Sequence, residues 1–476
     1  MNFDINKKHC FYFNEVSKIP HGSFNEKALS DYIVEFAKRL NLMYFQDEMH
    51  NVIVYKDKNG DYSDEPIMIQ AHIDMVCEKN RDVDHDFFKD PLELEVNDGI
   101  LSAKGTTLGA DDGHGVAYML AILADKSLKH PPLECVFTTQ EEVGLMGAMN
   151  IKKENIRAIR MISLDGGGES STLLTSAGGV YVSLSKDVSY EKTNKPGYLL
   201  SIKGLLGGHS GGEIHKEKGN ANFLLVRALK IFELNNVNYE LGDIQGGLKI
   251  NAIPREASCT FASDVSFTKL KELVKEIDAI YKNEFEFSDN LVNLTIEETV
   301  IDKVYPKKLK EDFLNALYLA PNGFVAKSMV IKDLTVTSLN LGLIEQTDNI
   351  LKATYSIRSS IESSIDELIN RIKVISEIFD LKFATDCRFP GWNYSKTSNM
   401  RDVLAEVVPE VIGRPLELIA THGGTECGVF KALDQRMDIV SLGPITDHIH
   451  TPDEIMDLAS FDRVYDLLTV YISRLK

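Results

Sequence analysis

Pro66-Ile67-Met68-Ile69-Gln70-Ala71-His72-Ile73-Asp74 begins as an apolar run and ends on an imidazole and a carboxylate two residues apart. A short apolar stretch of this kind, residues 66–71, reads as a strand buried on both faces. Residues 133–139 and 158–164 have the same character, and 115–125, between the first two runs, is apolar on most sides, as a helix packed on a sheet must be. Strand and helix in alternation predict an α/β layer architecture with a largely parallel sheet. The C-terminal stretch returns to that pattern, with a helix over 400–412, the loop Thr421-His422-Gly423-Gly424 and a strand over 437–442.

Between them the pattern changes. Residues 197–204 read as a strand, 221–234 as a helix, 239–251 and 257–263 as strands, 267–282 as a helix and 291–300 as a strand. A second helix–strand–strand–helix–strand series follows over 307–386. Two passes through nearly the same order predict a doubled ferredoxin-like unit, although the residues themselves barely match. The expected organisation is an α/β domain made of 1–185 and 391–476, with an α+β domain, 186–390, inserted between its halves.

Composition narrows the function classes. The chain of 476 residues is 43% hydrophobic, too apolar for a disordered protein and long enough for more than one core without disulfide staples. Its net charge of −19 argues against nucleic-acid or anionic-membrane partners, which need a basic face. The N-terminus lacks the apolar core of a signal peptide, and the longest apolar run, 116–124, is about half a membrane span. Cys10, Cys77, Cys135, Cys259, Cys387 and Cys427 form no C-x-x-C pair, so a reducing cytoplasm is expected.

The chemistry lies in polar residues that interrupt apolar strands. His72 and Asp74, spaced by two on extended backbone, point the same way, and a carboxylate beside an imidazole is what a metal-bound histidine needs. H-x-D alone is a weak pattern. Gly109-Ala110-Asp111-Asp112-Gly113 precedes a helix, where acids also serve as caps. In Thr138-Thr139-Gln140-Glu141-Glu142-Val143-Gly144, adjacent glutamates cannot share a face, so one can ligate a metal while the other faces a water. Asp165 ends a strand ahead of three glycines. His448 and His450 follow the last strand; spacing does not choose between them, and the adjoining Thr451-Pro452-Asp453-Glu454 favours His450.

In open α/β sheets ligands collect outside the carboxyl ends of the strands. His72, Asp111, Glu141, Glu142, Asp165 and His450 all fall at such ends or in the loops after them. Several carboxylates converge at one edge only if cations neutralise them. Imidazole and carboxylate without thiolate suit zinc, cobalt or manganese. The economical reading is a two-metal hydrolase.

H-x-D, G-A-D-D-G, T-T-Q-E-E-V-G, L-D, G-G-H-S-G-G and H-T-P-D-E, in this order and at these separations, resemble the M20 metallopeptidase family. Gly207-Gly208-His209-Ser210-Gly211-Gly212, Gly219-Asn220-Ala221-Asn222 and Asn251-Ala252-Ile253-Pro254-Arg255-Glu256 are similar to its aminoacyl-histidine dipeptidase, or cytosol non-specific dipeptidase, branch. The resemblance runs from His72 to Asp453. It implies a zinc-peptidase-like catalytic domain with a parallel-centred mixed sheet, over 1–185 and 391–476, and a lid domain over 186–390. It implies two divalent cations, zinc first, with cobalt or manganese as alternatives. His72 and Asp165 would hold one and Glu142 and His450 the other, with Asp111 bridging through a cis peptide to Asp112.

Asp112 stands where many relatives carry asparagine, and is expected to turn to backbone partners. Asp74 would orient His72. Glu141 would be the general base on a metal-activated water, and His209 a donor to the oxyanion. Lid closure would bring Asn251 and Arg358 to the substrate, Arg358 clamping its C-terminal carboxylate. His422 and Gly424 would line the opposite wall. The implied activity is hydrolysis of unblocked dipeptides, Xaa-His included. A tripeptidase, an N-acyl amino acid deacylase or a non-catalytic metal-binding relative are the alternatives. A homodimer, with His209 acting in cis or in trans, stays open. His85, His114 and His130 are expected to be structural or solvated, Trp392 to pack, and the glycine-rich 206–212 stretch lacks the lysine of a phosphate-binding loop.

Overall fold

The computed structural model describes residues 3–476, which divide into two compact units. The first is built from the chain up to Ser176, Trp392–Ala420 and Thr425–Lys476, and the second from Ala177–Gly391 and Thr421–Gly424.

In the first unit a six-stranded sheet runs in the order Met43–Gln46, Val52–Lys56, Leu133–Thr138, Ile67–His72, Arg160–Ser163, Asp438–Ser441. The last four strands are parallel, Val52–Lys56 runs against them and Met43–Gln46, antiparallel to its neighbour, runs with them, giving a mixed sheet with a parallel centre. Ile67–His72 is buried at every position, which is why its sequence shows no alternation. His72 is thus the last residue of the strand itself. In register it pairs with Thr138, and Gln70 with Ser163, so three strands finish almost level.

The helix Ala110–Ala124 is buried nearly all round, and begins with Asp111 and Asp112 in non-helical conformations. Its Val116, Tyr118 and Leu120 share a core with Ile69, Phe137 and Phe461. Each such side chain contributes about 1.5–3 kcal/mol by leaving water. The Tyr118 hydroxyl donates to the Phe461 carbonyl at 2.7 Å, so burial costs it no hydrogen bond. Trp392 is buried and pairs through its backbone with Ser176.

The second unit is a nine-stranded sheet with helices Ala221–Leu234, Phe267–Glu284, Lys307–Leu319 and Glu362–Ile378 packed into one shared core. Eight strands follow the order Asn293–Thr299, Gly197–Lys203, Ala257–Ala262, Glu240–Gly246, Thr335–Thr347, Ile350–Ser359, Gly178–Asp187, Lys382–Phe389, all antiparallel; Gly323–Lys327 pairs with Thr335–Thr347. Each half places its fourth strand beside its first, then its third, then its second, which is the ferredoxin-like order. The second strands of the two halves meet at Gly246 and Ile344.

The opening strand of the second half, Gly178–Asp187, precedes the whole first half, which is therefore inserted after it. Its Val180, Val182 and Leu184 enter the core, and the 185/186 position used above as a boundary lies inside it. The strand expected over 239–251 stops at Gly246. Gly247 takes a φ of 82°, and a Cβ there would run into the Gly342 carbonyl oxygen. Thr421–Gly424 joins this unit because the Ala177 N–H donates to the Gly423 carbonyl at 2.8 Å and His422 Nε2 lies 2.7 Å from Ser338 Oγ. All six cysteines are free, and among the described residues no helix is long and apolar enough to cross a membrane.

Candidate metal centre

The acids and imidazoles of the first unit meet at the carboxyl edge of its sheet. His72 Nε2 lies 3.1 Å from Asp111 Oδ1, and His450 Nε2 lies 3.3 Å from Asp111 Oδ2. His450 Nε2 is also 2.9 Å from Glu142 Oε1. Donor atoms of His72, Asp111 and Asp165 lie within 4.8 Å of one another, as do those of Asp111, Glu142 and His450, and those of His72, Glu141 and Glu142. Asp111 is common to the first two groups and turns a different oxygen to each imidazole. His448 and His450 are both exposed, but the acid nearest the His448 ring is Asp447 at 3.8 Å and not a member of the cluster.

Divalent cations fit this donor set. Glu142 Oε1 is buried and, for all its closeness to His450, has no aligned hydrogen-bond donor among the described residues. A buried carboxylate oxygen without a donor is costly unless a cation faces it. The cluster also cannot hold its negative charges alone. Burial, then the Asp111 charge, pushes Asp165 up to about 7, and burial carries Glu141 well above the carboxylate range. The Asp111 and Glu142 carboxylates lift His450 to about 10. Burial opposes a charge on His72, yet Asp111 and Asp74 outweigh it and raise this imidazole well above its usual value. Counter-charge must enter such a site as protons or as cations.

The Asp111–Asp112 peptide is cis. Asp112 Oδ1 accepts the Gly115 N–H at 3.2 Å and lies 3.3 Å from His114 Nε2, so the second carboxylate turns toward the helix. His114 lies 2.9 Å from the Leu164 carbonyl through the same nitrogen, as fits a structural histidine.

Asp74 faces His72 with its main chain as well as with the side chain expected to orient it. The strand ends at His72, so Asp74 leaves the pleat, and its main-chain carbonyl accepts from His72 Nδ1 at 2.9 Å while its carboxylate stands 3.5 Å away. That carboxylate accepts the backbone N–H groups of Glu141 (3.0 Å) and Glu142 (3.3 Å) and the Ser23 hydroxyl (2.8 Å). It fixes the turn that carries both glutamates.

Two further acids have bonding roles that the sequence did not show. Glu454 accepts the backbone N–H groups of Leu108, Gly109, Ala110 and Asp111 at 2.8, 3.0, 2.8 and 3.3 Å, clamping the loop that presents Asp111. Its place in H-T-P-D-E was the available signal. Glu454→Gln is expected to weaken cation binding about 10–100-fold, because it loosens a ligand's support. A chelator competition titration reads this, and unaltered affinity would contradict it. Glu426 Oε2 accepts from Gln70 Nε2 at 2.5 Å and Thr138 Oγ1 at 2.7 Å, while burial pushes its carboxyl up to about 8.

The other residues singled out from sequence lie in the second unit. Arg358, on the strand Ile350–Ser359, is buried, and its Nε has no acceptor among the described residues. His209 Nδ1 accepts the Gly212 N–H at 3.0 Å, which places the proton of the neutral ring on Nε2 as a free donor. The Asn251 carbonyl accepts the Ser210 N–H at 2.9 Å and so braces the same loop. A Cβ on Gly424 would press into the Phe389 ring. Burial, then Arg358, lowers His209, and burial, then Arg358 and His209, brings His422 down to about 3. A buried guanidinium among neutral imidazoles suits an anionic ligand.

The His422 shift carries a pH dependence. Its ring protonates near 6.5 when unfolded and near 3 when folded, so the unfolded chain holds more protons between those values and stability falls as pH drops through the window. The slope is at most about 1.4 kcal/mol per pH unit. His422→Gln is expected to flatten it; parallel denaturation curves for the two proteins across that range would refute this.

The profile of peptidase family M20/M25/M40 matches residues 68–474. The cytosol non-specific dipeptidase of Escherichia coli (strain K12) is 35% identical over 464 residues, 96% of this chain and 95% of that protein. The crystal structure of aminoacylhistidine dipeptidase from Vibrio alginolyticus superposes with a TM-score of 0.91 at 31% identity, covering 98% of this chain and 96% of that one. Aminopeptidase PepT from Bacillus cereus shares the fold, with a TM-score of 0.58 at 15% identity and full coverage of both chains. With its profile running from the strand that ends in His72 almost to the C-terminus, the chain belongs to peptidase family M20/M25/M40.

Proposed function

We propose that this protein is a metal-dependent dipeptidase that hydrolyses unblocked dipeptides with broad side-chain tolerance, Xaa-His included. One observation carries the reading: Asp111 belongs to two groups of ligand atoms at once, with Glu141 beside them. The names of the Escherichia coli and Vibrio alginolyticus relatives support it. His72, Asp111 and Asp165 would hold one divalent cation, and Asp111, Glu142 and His450 the other, zinc first, with cobalt or manganese as alternatives. Such cations supply Lewis acidity, making a water acidic enough to lose its proton near neutral pH and polarising the scissile carbonyl.

The chain's own groups do the rest. Glu141, held by Asp74 through its backbone N–H, takes the proton from the attacking water and returns it to the leaving amine. His209 Nε2–H donates to the developing oxyanion. Arg358 receives the substrate's C-terminal carboxylate, and Asn251, His422 and Gly424 shape that end of the site. The first unit is the catalytic domain and the second the lid. The family relative's name and the free cysteines favour a cytoplasmic location.

Comparing a free dipeptide, a tripeptide and an N-acetyl amino acid side by side tests the assignment. The dipeptide is expected to be cleaved best, and a preference for either of the others rejects it. Arg358→Ala is expected to shrink the preference for a dipeptide over its C-terminal amide by about tenfold or more, since it removes a charge-assisted bond to the carboxylate. An unchanged preference would show that another group binds that end.

A further inference from the structure

A cavity of about 850 Å³ opens in the first unit, with Glu142 and Val143 on one wall and Phe24, Met75, Phe87 and Phe88 on others. Three of its apolar groups face outward, with Phe24 69%, Phe88 75% and Val143 39% exposed. Large apolar side chains grouped around a concavity mark a binding site more often than a defect of packing.

Phe24 is held outward against its own backbone preference. Its φ is 68°, a left-handed conformation uncommon for a bulky side chain and found mostly where the surroundings enforce it. The enforcing bonds lead to the catalytic turn. The Phe24 N–H donates to Glu26 Oε1 at 2.9 Å, and the same oxygen accepts the Gln140 N–H at 3.2 Å. Ser23 Oγ donates to Asp74 Oδ2 at 2.8 Å, and Asp74 in turn holds the backbone of Glu141 and Glu142. The fold therefore fixes an exposed aromatic ring to the frame of the reacting groups.

The charged members of the cavity decide which part of a substrate it suits. Asp84 and Asp86 line it with Lys79, whose Nζ donates to the His85 carbonyl at 2.8 Å; Asp86 also pairs with Lys89 at 2.7 Å, and Glu142 belongs to the cation cluster. The lining lysine, Lys79, is already bonded and faces two carboxylates, so among the described residues the cavity offers nothing to hold a C-terminal carboxylate, which the reading above gives to Arg358, and it suits the end that bears the ammonium. In an unblocked peptide the residue bearing the ammonium is the amino-terminal one.

We propose that this cavity is the subsite for the amino-terminal side chain of the substrate, and that Phe24 and Phe88 select large apolar groups there. The assignment rests on the dipeptidase reading above. It names a specificity-determining pair, distinct from the groups that hold cations or protons.

The test compares kcat/KM for Phe-Gly with kcat/KM for Gly-Phe in the wild type and in the double variant Phe24→Ala/Phe88→Ala. Both rings lie mostly in solvent, so their removal does not open the core. Apolar pocket contacts of this size discriminate by about tenfold or more. The Phe-Gly to Gly-Phe ratio is expected to fall by at least about threefold in the double variant. A smaller fall, or a rise, overturns the subsite while leaving the dipeptidase reading intact. A wild type that cleaves neither dipeptide overturns both.

Discussion

Glu141→Gln is expected to keep both cations and the native fold while kcat falls by about 10²–10⁴-fold, the usual contribution of a positioned general base. The amide has the size and shape of the carboxylate, and the Glu141 N–H still donates to Asp74 Oδ1 at 3.0 Å, so the turn is undisturbed. What disappears is a group able to accept a proton. The measurement separates two roles that geometry alone places close together, because Glu141 also lies within 4.8 Å of donor atoms on His72 and Glu142. If Glu141 were a ligand, the substitution would lower the metal content per chain. If it is the base, metal content stays at two and turnover collapses. A variant that stayed near wild-type turnover would remove Glu141 from the reaction altogether.

Most of the cluster of candidate ligands was legible in the sequence because it is written in breaks of an apolar pattern. His72, Glu142 and Asp165 each end or follow a buried parallel strand, where a charged residue has no packing reason to sit. The choice of His450 over His448 came from the neighbouring motif, since spacing does not distinguish them, and the structure separates them by the reach of His450 to Asp111 and Glu142. The doubled unit was legible from element order, but its eighth core strand was not. Gly178–Asp187 belongs to a half whose remaining elements begin at Lys307, and no local signal ties a strand to partners so far along the chain.

The same limit hid Glu454, whose work is done on backbone N–H groups of residues 108–111. Residue type and periodicity say nothing about which main-chain donors converge on a carboxylate. It also hid half of what Asp74 does, since its carboxylate stands 3.5 Å from His72 Nδ1, as its spacing suggests, but also accepts the backbone N–H groups of Glu141 and Glu142. The loop Thr421–Gly424 packs with the second unit although both its flanks belong to the first, a division set by the bonds of Gly423 and His422 rather than by composition.

Asp111→Ala and Asp112→Asn are expected to differ sharply in the metal they retain, although the two residues are neighbours. Asp111 turns one oxygen to His72 and the other to His450, so its loss removes a ligand from both groups at once. Bound metal is then expected to fall from two per chain to less than one. Activity should drop by about 10³-fold or more, since each tenfold costs about 1.4 kcal/mol and cation binding supplies several kcal/mol to the transition state.

Folding gives a readout free of turnover. A cation at about 100 times its Kd stabilises the wild type by about 2.7 kcal/mol per site, and the Asp111→Ala protein should show little of that increment in Tm. Asp112→Asn keeps an oxygen for the Gly115 N–H, which Asp112 Oδ1 accepts at 3.2 Å, and touches neither imidazole of the cluster. It should retain both cations and the metal-dependent rise in Tm. The reverse outcome, with Asp112→Asn stripped of metal and Asp111→Ala fully loaded, would move the bridge to the other aspartate and reassign the loop that Glu454 holds in place.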